Sequence, residues 1–289
     1  MWGNKDWVGN LFSPRCRAGN FLAEYSTVFN TVEGNTTFYS LPSETTVDRW
    51  REQTPESFRF SFKLPQTVTH ARGLYDAGAE TAQFFDRLAP LGERLGPFMI
   101  QLPASFGPDR LPLLDAYLRS VPAEYRYAVE LRHLAFYENE ETTRAVNELL
   151  AVRECERVMM DTRSMRAGDL KHPDVMAAEH KKPDLPITPI VTAHDPLLRF
   201  VGHPEATVNE PGLRYWAQHA ARWLGEGRSP FIFIHCPNNL FAPAMARTFH
   251  AMLDEELRAI GHDDADPSPG TMPAWPGDVH REPEQLELI

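Results

Sequence analysis

The regular alternation of strand-like and helix-like segments constrains the fold of this chain more than any other feature. Short runs rich in apolar and β-branched residues recur at 28–32, 58–62, 98–102, 127–131, 157–160, 197–201 and 231–234. Between them, apolar residues return at helical spacing, as in the stripe of Phe84, Leu88, Leu91 and Leu95. Strands that alternate with helices form βα units, so the sequence predicts an α/β protein with a mainly parallel sheet.

The number of strands and the length of the chain favour a closed sheet. The chain has 289 residues, and a (β/α) barrel of about 250 residues commonly forms one domain. We therefore predict a TIM-type barrel over residues 1–260, with an open doubly wound sheet as the alternative. Loop-like residues follow Met1 directly, so we expect the first strand to be missing or altered, or the start site to be placed too late.

Two segments depart from this alternation. Residues 163–196 are long, proline-rich and basic, which is typical of an insertion or a lid. Residues 261–289 contain seven acidic residues against one basic residue, together with many prolines and glycines. Such a composition cannot bury a core, so we predict a disordered acidic tail.

Composition narrows the classes of function. A net charge of −11 argues against broad nucleic-acid binding. The tail carries more than half of that charge, so the net charge does not exclude a local basic groove on the folded part. No apolar run approaches the roughly 18 residues of a membrane span. The three cysteines form no CxxC pair or zinc spacing. We therefore expect a cytoplasmic protein that does not enter membranes.

Polar residues stand at the end of strand after strand. In a barrel these positions face the active site. Glu130 and Arg132 are two residues apart and share a strand face, as do Arg199 and His203. The polar residues that end the predicted strands are Glu33, Asn35, Lys63, Gln101, Glu130, Arg132, Asp161, His203 and His235.

Several of these residues, and His70, also have a purely structural interpretation. In that interpretation Glu130 and Arg132 form an ion pair at the rim of the sheet, and Lys63 is a solvated loop residue. His235 packs in the core beside Cys236, and His70 caps a helix or lies in a loop. The functional interpretation depends on many such residues converging in one place.

Several sequence blocks carry a family resemblance. They are Asn30-Thr31-Val32-Glu33-Gly34-Asn35-Thr36-Thr37-Phe38-Tyr39, Phe58-Arg59-Phe60-Ser61-Phe62-Lys63, Thr69-His70, Leu91-Gly92-Glu93-Arg94-Leu95-Gly96-Pro97, Gln101-Leu102-Pro103 and Tyr127-Ala128-Val129-Glu130-Leu131-Arg132-His133. With these blocks the chain resembles the YecE-like family, domain of unknown function seventy-two, from about Trp2 to Leu253. The resemblance implies a TIM-type barrel whose mouth is lined by these motifs, and it implies no reaction.

The leading functional prediction is an enzyme that performs acid/base chemistry on an anionic or polyhydroxylated small molecule. The predicted catalytic residues are Glu33, Lys63, His70 and Glu130. The predicted substrate-binding residues are Asn35, Tyr39, Gln101, Arg132, Arg199, His203 and His235. A second version adds a divalent metal held by Glu33, Glu130, Asp161 and His203, or His235 in its place.

Two other functions stay open from the sequence. The chain ends in Gln285-Leu286-Glu287-Leu288-Ile289, which resembles the short peptides that bind the bacterial sliding clamp. A flexible tail ending in such a peptide predicts a DNA-maintenance protein recruited by that partner. The last alternative is a small-molecule sensor that uses the same strand-end site without turnover.

Overall fold

Parallel strands alternate with helices throughout the chain, as the sequence predicts. The structure is a computed structural model, and it describes residues 2–179, 181–187, 189–261 and 272–279. Eight strands lie in this part of the chain: β1 (Thr31–Gly34), β2 (Arg59–Phe62), β3 (Phe98–Gln101), β4 (Tyr127–Glu130), β5 (Glu156–Arg157), β6 (Met159–Asp161), β7 (Leu197–Val201) and β8 (Phe231–His235).

Helices follow most of the strands and cover the sheets. They are α1 (Phe21–Ser26), α2 (Thr36–Tyr39), α3 (Glu44–Glu52), α4 (Gly78–Leu88), α5 (Leu111–Ser120), α6 (Ala135–Glu138), α7 (Glu140–Val152), α8 (Arg163–Ala167), α9 (Pro173–Glu179), α10 (Glu210–Gly225), α11 (Ala242–Ala259) and α12 (Pro276–Val279). Ser43 and Asn139 cap α3 and α7 by accepting backbone N–H bonds.

The helical stripe from Phe84 to Leu95 forms two elements rather than one. Helix α4 ends at Leu88, and a tighter 3₁₀ segment continues from Ala89–Arg94. Pro90 has no backbone N–H to extend the α-helix, and Gly92 takes a positive φ of 55°. The stripe from Leu213 to Leu224 lies within the single long helix α10.

The predicted TIM-type barrel is wrong. Backbone hydrogen bonds form three separate parallel sheets, in the orders β1-β2, β3-β4-β5 and β6-β7-β8. Between the first two sheets the described residues form isolated bridges, Phe60 to Leu95 and Lys63 to Met99, rather than a continuous ladder. The run predicted at 157–160 is split at Val158, whose N–H donates to Val129 of β4, so β5 and β6 belong to different sheets.

The sheets are also interrupted between β1 and β8. Among the described residues no ladder joins these two strands, and a cavity of about 960 Å³ runs between them. Its apolar lining comes from α1, α11 and the outer strands, including Tyr25, Ile232 and Phe249. The sequence predicted that a first strand before β1 is missing or altered, and this stays a prediction. The predicted closed sheet is not formed.

Segment 163–196 is packed against the sheets. It contains α8 and α9, and Met165 and Val175 form a buried cluster with Met160 of β6 and Val201 of β7. These contacts place the segment at the carboxyl ends of the third sheet. Its predicted role as a lid stays a prediction.

Part of the predicted tail is ordered. Trp275 is buried with Trp7 and Phe12, and the guanidinium of Arg247 lies over its ring. The prediction of disorder is therefore wrong for residues 272–279, because Trp275 packs on an apolar surface of the N-terminal segment. The clamp-like peptide Gln285–Ile289 lies outside the described residues. In the part that the structure describes, no helix is both long and apolar enough to cross a membrane.

Candidate functional site

The strand faces that point inward carry an apolar layer with a polar layer above it. Met99, Ala128, Leu197 and Phe233 belong to one buried apolar cluster contributed by β3, β4, β7 and β8. The residues two positions further along the same strands are Gln101, Glu130, Arg199 and His235. Because side chains two apart on a strand share a face, the polar residues lie above the apolar layer at the carboxyl ends of the strands.

Arg199 is the centre of this polar layer. Its Nε and Nη2 donate to the two carboxylate oxygens of Glu33 at 2.7 and 2.9 Å, and its Nη1 donates to Glu130 Oε2 at 2.6 Å. Glu33 lies on β1 and Glu130 on β4, so one guanidinium from β7 joins all three sheets. All three side chains are buried. A planar fork of five donors suits this bridging geometry.

Further polar groups surround the two carboxylates. Lys63 Nζ lies 3.5 Å from Glu33 Oε1 and donates to Gln101 Oε1 at 2.9 Å. His235 Nε2 lies 3.1 Å from Glu33 Oε2, and Arg132 Nε donates to Glu130 Oε1 at 2.7 Å. Lys63 follows β2 and is two residues after Ser61, which pairs with Glu33, so its side chain lies on the same inward face. We call Glu33, Lys63, Gln101, Glu130, Arg132, Arg199 and His235 the Arg199 cluster.

Both carboxylates of the cluster are held ionised. Burial opposes ionisation of Glu130, but Arg199, Arg132 and Lys63 overcome it and lower its pKa to about 2. Burial also opposes ionisation of Glu33, and Arg199, Lys63 and His235 hold its pKa well below the ordinary value. These two groups are therefore fixed negative charges at neutral pH.

The pKa values of two other groups of the cluster, Lys63 and His235, are also lowered. Burial and the adjacent Arg199 lower the pKa of Lys63 to about 8, against the opposing effect of the two carboxylates. Burial lowers the pKa of His235 to about 4, although Glu33 favours the charged ring. His235 is therefore neutral at pH 7. Because an ionised carboxylate only accepts hydrogen bonds, Nε2 of His235 carries the proton and donates to Glu33.

Lys182 adds a cation that the sequence did not single out as a site residue. It lies in the segment 163–196, and its backbone oxygen accepts from Arg166 Nη2 at 2.8 Å. Burial and Arg199 lower its pKa to about 8, with Glu33, Lys63 and Glu130 also acting on it. Lys182 was visible only as one of several basic residues in a long segment, since the pattern of β-strands does not place it.

The site therefore has more cations than anions. Two ionised carboxylates, Glu33 and Glu130, stand against Arg199, Arg132, Lys63 and Lys182. The cations beyond the two that balance the carboxylates include Arg132, which is 21% exposed and so can meet a ligand from solvent. The arrangement can bind a small anion, orient it through donors on several strands and exchange a proton through an amine with a pKa near 8.

Five predicted site residues lie outside the Arg199 cluster. His70 Nδ1 is bonded to Thr69 Oγ1 at 2.9 Å, and burial and Arg132 lower its pKa. Tyr39 is 72% exposed, and Asn35 is half-buried before α2 without capping it. His203 is bonded to the backbone of Asp169 and Glu205.

Asp161 points away from the cluster. Its carboxylate accepts from Arg163 and from the indole N–H of Trp216 on α10. The residue of β6 that pairs in register with Arg199 is Met160, so Asp161 lies on the opposite face. Within the described ranges no group of three or more histidine, cysteine, aspartate or glutamate side chains is arranged to hold a metal ion. The predicted set of metal ligands is therefore not assembled.

Comparisons with known proteins identify the family. The family model described as "Protein of unknown function DUF72" matches residues 1–271. The UPF0759 protein YecE of Escherichia coli K12 is 38% identical over 262 residues, which cover 90% of this chain and 93% of YecE.

Solved structures of the same family resemble this fold. A DUF72 family protein from Thermotoga maritima aligns with a TM-score of 0.65 and 25% identity, covering 88% of this chain and 96% of that one. A second, from Enterococcus faecalis V583, aligns with a TM-score of 0.63 and 20% identity, covering 82% and 93%. The resemblance predicted from the sequence blocks is confirmed, and this chain belongs to the DUF72 family.

Proposed function

We propose that this protein is an enzyme that binds a small anionic substrate at the Arg199 cluster and moves protons through Lys63. The observation that carries the proposal is the convergence of ionisable side chains from β1, β2, β4, β7 and β8 in one buried layer, beside which Arg132 and Lys182 add positive charge. Scattered structural ion pairs would not place six polar groups from separate strands within hydrogen-bonding distance of one another.

Arg132 is the group of the cluster best suited to hold the substrate anion. Its Nε is engaged by Glu130, whereas its terminal N–H groups make no hydrogen bonds to the described residues. The side chain is 21% exposed, in contrast to 3% for Arg199. An accessible guanidinium fork favours a carboxylate or phosphate ligand.

Lys63 is the group best suited to transfer a proton. A catalytic acid or base works best when its pKa lies near the working pH, and Lys63 has a pKa of about 8. Glu33 and Glu130 are too acidic to donate a proton at neutral pH. In this proposal they orient Arg199 and Lys63, and Gln101 holds the ammonium from the other side.

The binding part of the proposal is tested by thermal denaturation with a panel of anions and neutral polyols. A ligand at 100 times its Kd adds about 2.7 kcal/mol, which raises Tm by roughly 5–10 °C at this chain length. Phosphate or carboxylate compounds should raise Tm, whereas neutral sugars should not. Arg132→Ala should weaken the effect by about tenfold or more in ligand concentration. Arg144→Ala, on the exposed side of α7, is the matched control.

Turnover separates an enzyme from a sensor. Compounds that raise Tm are incubated with the wild type and with Lys63→Met, and products are followed by NMR. Conversion by the wild type that disappears in Lys63→Met supports the proposal. Binding without conversion by the wild type would support the sensor, and the absence of binding by any anion would refute both.

A further inference from the structure

Lys182 differs from the other cations of the site in one respect. Arg199, Lys63 and Arg132 each hold a hydrogen bond to a carboxylate or an amide. The ammonium of Lys182 makes no hydrogen bond or ion pair within the described ranges, although the residue is half-buried. The ammonium is not among the fully buried polar atoms that lack a partner, so it stays accessible to a ligand that enters from solvent.

The backbone of Lys182 is fixed at the carboxyl end of β6. Thr162, directly after β6, donates from Oγ1 to the Pro183 oxygen at 3.0 Å. Arg166 of α8 joins the same group, since its Nη1 donates to Thr162 and its Nη2 to the Lys182 oxygen. Leu185 is buried a little further on. The segment is therefore attached to the sheet next to Arg199.

The charged groups of the Arg199 cluster lie close enough to Lys182 to act on its ammonium. Arg199, Glu33, Lys63 and Glu130 all act on its ammonium, and Lys182 in turn acts on His235. These groups lie on or directly after five different strands, and the backbone of Lys182 is attached at the carboxyl end of β6, so its ammonium lies near the region where the strands converge. Lys181, the preceding residue, is exposed and belongs to the solvent side of the segment.

We propose that Lys182 is a substrate-binding residue supplied by the segment 163–196, and that the site takes a dianionic oxyanion such as a phosphate monoester. This inference rests on the proposed function and specifies its ligand. Two carboxylates against four cations leave two positive charges without a partner, and one dianion would satisfy both. A phosphate group also offers enough acceptor oxygens for Lys182, Arg132 and Lys63 together.

Calorimetric titration of the full chain with inorganic phosphate and with acetate tests the inference. The wild type should bind phosphate more tightly than acetate. Lys182→Met should weaken phosphate binding by about tenfold or more, the effect of losing one charge-assisted hydrogen bond. Lys182→Arg should retain most of the affinity, and Lys181→Met should match the wild type. Thermal denaturation without phosphate checks that each variant is folded.

The outcomes separate this inference from the proposed function. If the wild type binds neither anion, the proposed function fails and the assignment of Lys182 fails with it. If the wild type binds phosphate and a folded Lys182→Met binds it equally well, only the assignment of Lys182 is overturned. If acetate binds as tightly as phosphate and both depend on Lys182, the residue role holds and the dianion class is refuted.

Discussion

Replacing Arg199 by methionine is the perturbation that the structure predicts in most detail. The substitution keeps an apolar stem but removes the three hydrogen bonds to Glu33 and Glu130. Two buried carboxylates then lose the charge that holds them ionised. Lys63, Arg132 and His235 remain close, but none of them bridges both carboxylates.

The expected loss of stability follows from two routes. Breaking a buried ion pair by removing one partner costs about 3–5 kcal/mol. Independently, a carboxyl held at a pKa of about 2 rather than 4.5 corresponds to about 3 kcal/mol of stability at neutral pH. At about 2–4 °C per kcal/mol, the melting temperature of Arg199→Met should fall by roughly 6–20 °C at pH 7.

The pH dependence gives this prediction a second signature. In the wild type the carboxyl pKa values are depressed, so their contribution is present above pH 4.5 and is lost as pH falls toward 2. In Arg199→Met burial dominates and raises both pKa values, so the stability of the variant falls as pH rises. The difference in Tm between wild type and variant should therefore be larger at pH 7 than at pH 4.

Circular dichroism melts at both pH values measure these effects. Arg214→Met is the matched control, because Arg214 also bridges two carboxylates, Glu255 and Glu256, but on the exposed surface. Its Tm should stay close to that of the wild type. A variant at Arg199 that melts with the wild type at pH 7, or that loses equal stability at both pH values, would refute the account of the cluster.

Two other predictions concern parts of the fold away from the cluster. Glu156 is buried with Oε1 unbonded, and burial raises its pKa, so its contribution to stability is present below pH 4.5 and is lost as pH rises through the raised value. Glu156→Gln should therefore flatten the fall of Tm with pH above 4.5, whereas parallel curves would contradict this. Trp275→Ala removes a buried indole that packs on Trp7 and Phe12, so urea denaturation should show a loss of about 3–5 kcal/mol. An unchanged midpoint would mean that residues 272–279 do not pack as described.

The sequence was sufficient to place most of the cluster. Glu33, Gln101, Glu130 and His235 end strands whose apolar runs are easily recognised, and the carboxyl ends of parallel strands lie on one side of a sheet. Strand parity then brings their side chains to the same face. The prediction needed no knowledge of how the sheets join.

The errors arose where pattern alone does not determine geometry. A closed barrel depends on hydrogen-bonded ladders between neighbouring strands. The apolar run at 157–160 does not reveal that it is divided at Val158 into two strands of different sheets. Side chains alternate without a break through Val158 and Met160, so Asp161, one residue after Met160, faces Trp216 rather than Arg199. A polar residue at the end of a strand does not by itself show which face it takes. The segment that carries Lys182 is attached to β6 through hydrogen bonds of Arg166 and Thr162 to its backbone, and no periodic pattern encodes such contacts.

Titration calorimetry with inorganic phosphate at pH 7 and pH 10 tests most directly whether the converging strand ends form an anion site. Lys63 and Lys182 both have pKa values of about 8, so two cations of the site are protonated at pH 7 and neutral at pH 10. We expect saturable binding at pH 7 that weakens by at least tenfold at pH 10. No binding of phosphate at millimolar concentration at pH 7, or equal affinity at the two pH values, would contradict the account.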